Sequence, residues 1–392
     1  MSPRMSPTPR PASRAGGGPR TAVPPGAPDP PGGTAAPAAA PRAKSAPRAG
    51  RRTEGAWGWL FVSPMVIILG LFLVLPILMA LWVSLLHWDG QSNPFSGQTQ
   101  FAGLDNYRAL LTRNGLDRTL FATSLRNNFY YVLLTVPLQT ILALTLALIV
   151  NQRMLRGRSA LRTAFFFPSV TSSIAVSTVF LFLFQGSGAV NTVLSWIGVR
   201  GPNWFNDSRG VLSLLLGGLG IVDTGHPTGA LADHSFMGLS WFEWLSGPSV
   251  AMCTIILLAV WTTSGTFMLI FLAALQDIPR ELEEAAAIEG VSRFQMLRHV
   301  ILPALRPVLF LVLTLGLIGT WQVFDQVYVM GQGAPGNTTL TPAFLSYSSA
   351  FDDADFGQGA AIAFILLTLI LTMTAVQRFL FRERTPRTRR TR

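Results

Sequence analysis

The chain has 392 residues, 49% of them hydrophobic and only 12% charged, a balance that excludes an ordinary soluble globular protein. Its net charge of +11 sits mostly in the two ends, where a topogenic signal and attraction to anionic lipid account for it without nucleic acid. The single cysteine, Cys253, rules out a disulfide framework and a thiolate metal cluster.

Residues 1–55 hold 13 of the 27 prolines, with many Gly, Ala and Arg, and read as a disordered cytoplasmic head with no core of its own. The apolar run that follows comes too late and is too long for a signal peptide, so it reads as an uncleaved first span. Pro64 and Pro76 are expected to bend it, since each lacks a backbone donor. Uncharged stretches then recur at 127–152, 163–199, 244–276, 307–324 and 356–377. Each can supply the ~20 apolar residues that cross a bilayer core about 30 Å thick. The pattern predicts an all-α membrane domain over 56–381 with six spans, near 58–86, 128–150, 163–185, 249–275, 304–325 and 357–378. A basic tail, 382–392, follows.

Basic residues set the orientation. Arg48, Arg51 and Arg52 precede the first span, Arg153, Arg156, Arg158 and Arg162 lie between the second and third, and seven arginines run from Arg378 onward. The loop 185–243 has only Arg200 and Arg209, against Asp207, Asp223, Asp233 and Glu243. Positive-inside bias puts both termini in the cytoplasm. Within the outer loop, the 12 apolar residues 211–222 reach only about 18 Å as a helix, so they read as an interfacial or re-entrant helix.

The chain has no chemistry of its own to offer. Its one lysine, Lys44, lies in the head within PRAKSAP, so a P-loop, which needs Lys after a Gly-rich turn, is excluded. His226 and His234, with Asp223 and Asp233 nearby, have metal-ligand chemistry, but a flexible polar loop is the expected reading. No metal or catalytic cluster is expected.

The stretch 284–303, EAAAIEGVSRFQMLRHVILP, is polar and charged between two spans. Glu281 to Ile288 carries good helix formers, and Ala285, Ala286 and Ala287 offer a surface that another protein can approach closely. Gly290 can end that helix in a turn. Val291, Phe294, Leu297 and Ile301 then follow at helical spacing. A greasy chain with such a segment requires a docking partner on its cytoplasmic side.

This segment resembles the EAA loop of binding-protein-dependent ABC importer permeases: Glu284, Ala285, Ala286, Glu289 and Gly290 match, a nine-residue spacer follows, Val300 replaces Ile, and Leu302 and Pro303 complete the pattern. Phe101-Ala-Gly-Leu-Asp-Asn-Tyr107, Phe324-Asp-Gln-Val-Tyr328 with Gly331, Gly333 and Pro335, and Phe356-Gly-Gln-Gly-Ala-Ala361 are similar to marks of the carbohydrate-uptake branch of maltose or glycerol-phosphate type. Two departures stand out, a degraded glycine-glycine-proline turn at 331–335 and an apparent insertion at 210–239. The resemblance implies a type I importer fold in a bacterial plasma membrane. It also implies a second homologous permease subunit, two ATPase subunits that bind the ATP and magnesium, an external solute-binding protein, and a sugar as solute. No cofactor is implied for this chain. The EAA helices would sit in a groove of the ATPase, with Glu284 paired to a basic residue there. Position by position, the resemblance points to Thr262, Thr263, Thr266, Trp321, Gln322 and Asp325 as solute contacts. A proton-coupled carrier is the competing reading; it would need intramembrane acids or bases, and the first four uncharged stretches hold none.

Overall fold

The computed structural model describes residues 50–96, 99–152, 157–218 and 234–381. The chain divides into two compact units, Met1–Pro64 and Met65–Arg392. The first unit is described from residue 50, where helix α1 (Gly50–Leu69) begins inside the stretch expected to be disordered. The remainder of the expected head, and the basic tail, lie outside the described residues.

The described residues fold mostly as helix, with two two-stranded ribbons among them. Among the described residues, four helices are long and apolar enough to cross a membrane: Gly58–Val83, Leu116–Asn151, Val250–Gln276 and Phe356–Leu380. Two bent pairs, Arg158–Val170 with Ser173–Leu183 and Arg293–Ala304 with Arg306–Trp321, turn by 99° and 73° and bring the number to six if each pair is one span.

In the second unit, a π-helical segment, Gly70–Val74, leads into α2 (Leu75–Val83). Pro76 has no N–H to give, and the Leu75 N–H reaches back to the Gly70 carbonyl. The irregularity is absorbed inside a continuous span rather than as a sharp bend. Strand β1 (Leu86–His87) pairs antiparallel with β2 (Gln100–Phe101), and α3 (Asp105–Leu111) follows. Here the Phe101–Tyr107 stretch acts as a clamp. The buried Asn106 amide donates to the Ser84 and Leu86 carbonyls at 3.0 Å each, and the Tyr107 hydroxyl pairs with Ser84 Oγ at 2.7 Å. These bonds satisfy backbone groups left over where the first span ends.

Helix α4 (Leu116–Asn151) is longer than the expected span because it continues well before residue 128. It packs along the helix Val250–Gln276 to form the centre of the unit. Helices α5 (Arg158–Val170) and α6 (Ser173–Leu183) form the first bent pair. Thr171 at their junction is extended, and Pro168, three residues earlier, already weakens the helix there. The stretch 163–185, expected as a span, is therefore two helices that meet at 99°. Helices α7 (Ala189–Trp196) and α8 (Val211–Gly218) are short; the rest of the apolar run 211–222 lies outside the described residues. A ribbon, β3 (Ser235–Phe236) with β4 (Leu239–Ser240), leads to α9 (Trp241–Leu245), which is closed by a Ser240–Glu243 capping box.

Helix α10 (Val250–Gln276) starts on Ser249, whose hydroxyl accepts from the Met252 N–H, and its interior residues are largely buried. Gly265 permits α5 to lie close against it, because a Cβ there would collide with the Phe165 carbonyl. Helices α11 (Arg280–Ile288), α12 (Arg293–Met296) and α13 (Leu302–Ala304) carry the chain to α14 (Arg306–Trp321). Helices α15 (Asp325–Met330), α16 (Pro342–Phe351) and α17 (Phe356–Leu380) complete the fold.

Candidate functional site

Two features stand out: a polar cavity between spans and the exposed helix pair α11–α12. The cavity, about 250 Å³, lies where α4, α10 and α14 meet the 322–324 break and the first residues of α15 (Asp325–Met330). Tyr131, Thr135 and Gln139 reach it from α4, one turn apart, and Thr263 reaches it from α10. A second cavity of about 260 Å³ adjoins it at the α5–α6 junction, walled by Ser169, Thr171, Ser173 and Ser177 together with Thr262, Thr263 and Thr266. Thr263 and Gln326 line both.

Five of the six residues singled out as solute contacts therefore face this pair of cavities: Thr262, Thr263, Thr266, Gln322 and Asp325. Trp321 does not. It is 4% exposed and packs with Val132, Val136, Leu366 and Ile370, while its carbonyl accepts from Asn128 Nδ2 at 3.2 Å. One residue along a helix is a turn of about 100°, so Trp321 faces away from the side that Thr320 presents to the cavity.

Sequence reasoning missed the α4 wall. Thr135 and Gln139 are almost fully buried, at 0% and 1% exposure, and Thr135 Oγ1 and both amide atoms of Gln139 have no partner within the protein. Ser177 Oγ in the adjoining cavity is likewise unpartnered. Buried polar groups are normally satisfied, so these atoms mark a surface built to meet something polar. The four-residue spacing of Tyr131, Thr135 and Gln139 in an otherwise apolar run was the available signal.

Chemically, the cavity suits recognition rather than reaction. Its walls hold one carboxylate, Asp325, beside amides and hydroxyls. Among the described residues no group of three or more His, Cys, Asp or Glu side chains is placed to hold a metal. Asp223, His226 and Asp233 lie outside the described residues.

The helix pair is built by local signals. Gly290 takes φ +72°, in the region glycine enters without strain. The Glu289 and Val291 amides donate to the Ala285 and Ala286 carbonyls, closing α11. Ser292 then caps α12: its hydroxyl accepts from the Gln295 N–H, and the Gln295 side chain accepts from the Ser292 N–H at 2.9 Å. A π turn, Leu297–Ile301, joins α12 to Leu302 and Pro303 in α13. Glu284, Ala285 and Glu289 are exposed, whereas Ala286 is buried against its own chain. Ile288 and Phe294 are 88% and 68% exposed, unusually open for large apolar side chains.

The sequence pattern of the binding-protein-dependent transport system inner membrane components matches residues 127–385. The chain belongs to this family. Its relatives include the trehalose/maltose transport system permease protein MalF of Thermococcus litoralis, 32% identical over 82% of this chain and 92% of that protein. The lactose transport system permease protein LacF of Rhizobium radiobacter is 30% identical over 83% and 94%. Among solved structures, a bacterial ABC transporter involved in the import of the acidic polysaccharide alginate aligns with a TM-score of 0.64 at 19% identity. It covers 86% of this chain and 100% of its own. That likeness shows a shared helical fold, and membership of the family makes the chain a multi-pass membrane permease. Both cavities and the helix pair of this permease lie inside the family-matched region.

Proposed function

We propose that this chain is the membrane permease subunit of an ATP-driven carbohydrate importer, supplying half of the solute pathway and receiving work through the α11–α12 pair. The observation that carries this reading is one of connectivity. Helices α10 and α14 both supply walls of the polar cavity, and α11 to α13 are the chain between them. A displacement of the exposed pair would therefore be passed directly to both walls. A gate moves only if its partner binds two gate states with different free energies, and this pair is the contact able to transmit such a difference.

In this reading Glu284 and Glu289 meet basic groups of an ATPase subunit, and Ile288 and Phe294 bury their exposed apolar surface there. Gly290, with Leu302 and Pro303, shapes the elbow. ATP and magnesium bind the ATPase, two copies of which serve this chain and a second, homologous permease. The basic flanks place both termini and the helix pair on the cytoplasmic face of a bacterial membrane. A solute-binding protein delivers the sugar from outside; the alginate importer has been solved in complex with an alginate pentasaccharide-bound periplasmic protein. Sugar transport by MalF and LacF, as their names state, supports the solute class.

The test is co-purification from native membranes. A tagged chain should bring down an ATPase subunit, and the Glu284→Lys, Gly290→Pro double variant should lose it while remaining inserted. An unchanged yield of ATPase with the double variant would refute the coupling role.

A further inference from the structure

Gln139 is the least accounted-for side chain in the cavity. It is 1% exposed, and neither Oε1 nor Nε2 has a partner within the protein, although Thr135 Oγ1 is unpartnered one turn away. Leaving a buried amide unpaired is costly, a cost that an apolar residue at this position would avoid. The adjoining α14 wall is cut to fit it. A Cβ added at Gly316 would lie 2.5 Å from Gln139 Nε2, so the amide holds its position only because α14 has a glycine there.

The charge inventory narrows what the amide meets. Among the described residues lining the two cavities there is one carboxylate, Asp325, and no arginine, lysine or histidine. Along the walls this chain supplies, an anionic solute would face that carboxylate with no cation from the same chain to offset it. A neutral polyol has hydroxyls that both donate and accept.

We propose that the cavity takes an uncharged carbohydrate and that Gln139 grips an adjacent pair of its hydroxyls, Oε1 accepting from one and Nε2 donating to the next. This rests on the carbohydrate reading above and narrows it to neutral sugars. It also adds α4 to the solute-binding walls. Gly316 acts as a positioning residue, and Asp325 disfavours acidic sugars.

The test reads the cavity itself, independently of the binding protein. Gly319 lines the cavity, and a Cβ there meets no atom within 4 Å, so Gly319→Cys in a Cys253→Ser background provides a thiol reporter. In native membranes holding the full chain, its rate of modification by a small methanethiosulfonate is measured with maltose, trehalose, lactose or glucuronate present. At least one neutral disaccharide should slow modification severalfold, and glucuronate at the same concentration should not. Gln139→Leu should weaken that protection about tenfold, and Asp325→Asn should let glucuronate protect. Gln139→Asn, which keeps an amide but withdraws it, serves if the leucine variant no longer inserts. Equal protection by glucuronate and neutral sugars, or protection that survives both Gln139 variants, overturns the proposal. Protection by no sugar also overturns it. The broader carbohydrate reading fails separately, if cells lacking this chain lose uptake of none of these sugars.

Discussion

Gln139 and Gly316 compete for one volume: a Cβ on Gly316 would sit 2.5 Å from Gln139 Nε2. Gly316→Ala is therefore expected to push the amide out of place and raise the KM for sugar uptake about tenfold, with chain abundance unchanged. Adding Gln139→Asn should relieve the clash, so the two changes should be non-additive in thermal stability. A double-mutant cycle on the purified chain measures this. Strictly additive effects would mean that the two side chains do not meet.

Gly290 carries a different constraint. At φ +72° an alanine is strained by about 1 kcal/mol, and a proline, locked near −65°, cannot adopt the turn. Gly290→Ala should reduce uptake modestly and Gly290→Pro should abolish it. Membrane insertion, checked by protease accessibility of the termini, should be unaffected by either.

The Ser292–Gln295 box should contribute about 1 kcal/mol to the start of α12. Ser292→Ala is then expected to speed amide hydrogen exchange over residues 293–296 about fivefold, while exchange in α10 stays the same. An unchanged rate would show that partner contacts, not the cap, order this helix.

Outside the spans, the Arg209 side chain donates to both carboxylate oxygens of Asp207, and the Arg209 N–H adds a third bond. The hydrogen bond from the Arg209 side chain is the main cause holding the Asp207 carboxyl below its ordinary value; the backbone bond and the guanidinium charge act the same way, and partial desolvation opposes them. The stabilisation is therefore present above the unfolded carboxyl's pKa and is lost as pH falls through the lower folded value. Amide protection around 207–210, taken relative to the intrinsic exchange rate at each pH, should stay flat from neutral pH down to the usual carboxylate range and fall below it. Asp207→Asn should remove that acid dependence.

What could be read in advance followed from how local its cause was. The spans were legible because each is an uncharged run, and the helix pair because Gly290, Ser292 and Gln295 act within a few residues of one another. The 99° break between α5 and α6 was less so. Pro168 was visible, but the path of the broken pair also depends on Gly265 admitting α5 against α10. The cavity was legible only in part. Thr262, Thr263, Thr266, Gln322 and Asp325 could be placed by resemblance, whereas the α4 wall exists because Gln139 meets Gly316, 177 positions away in the chain. Trp321 shows the converse: its neighbours in sequence line the cavity, yet its own helix face packs against α4 and α17.

The most direct test of the account is solute uptake by the complex purified from native membranes and placed in proteoliposomes, with ATP or ADP trapped inside and the binding protein outside. Labelled maltose, trehalose and lactose are offered with and without a proton ionophore. The account predicts uptake of a neutral sugar that requires ATP, ignores the ionophore, and disappears in the Glu284→Lys, Gly290→Pro variant. Uptake that proceeds with ADP and collapses with the ionophore would contradict it and identify a proton-coupled carrier instead.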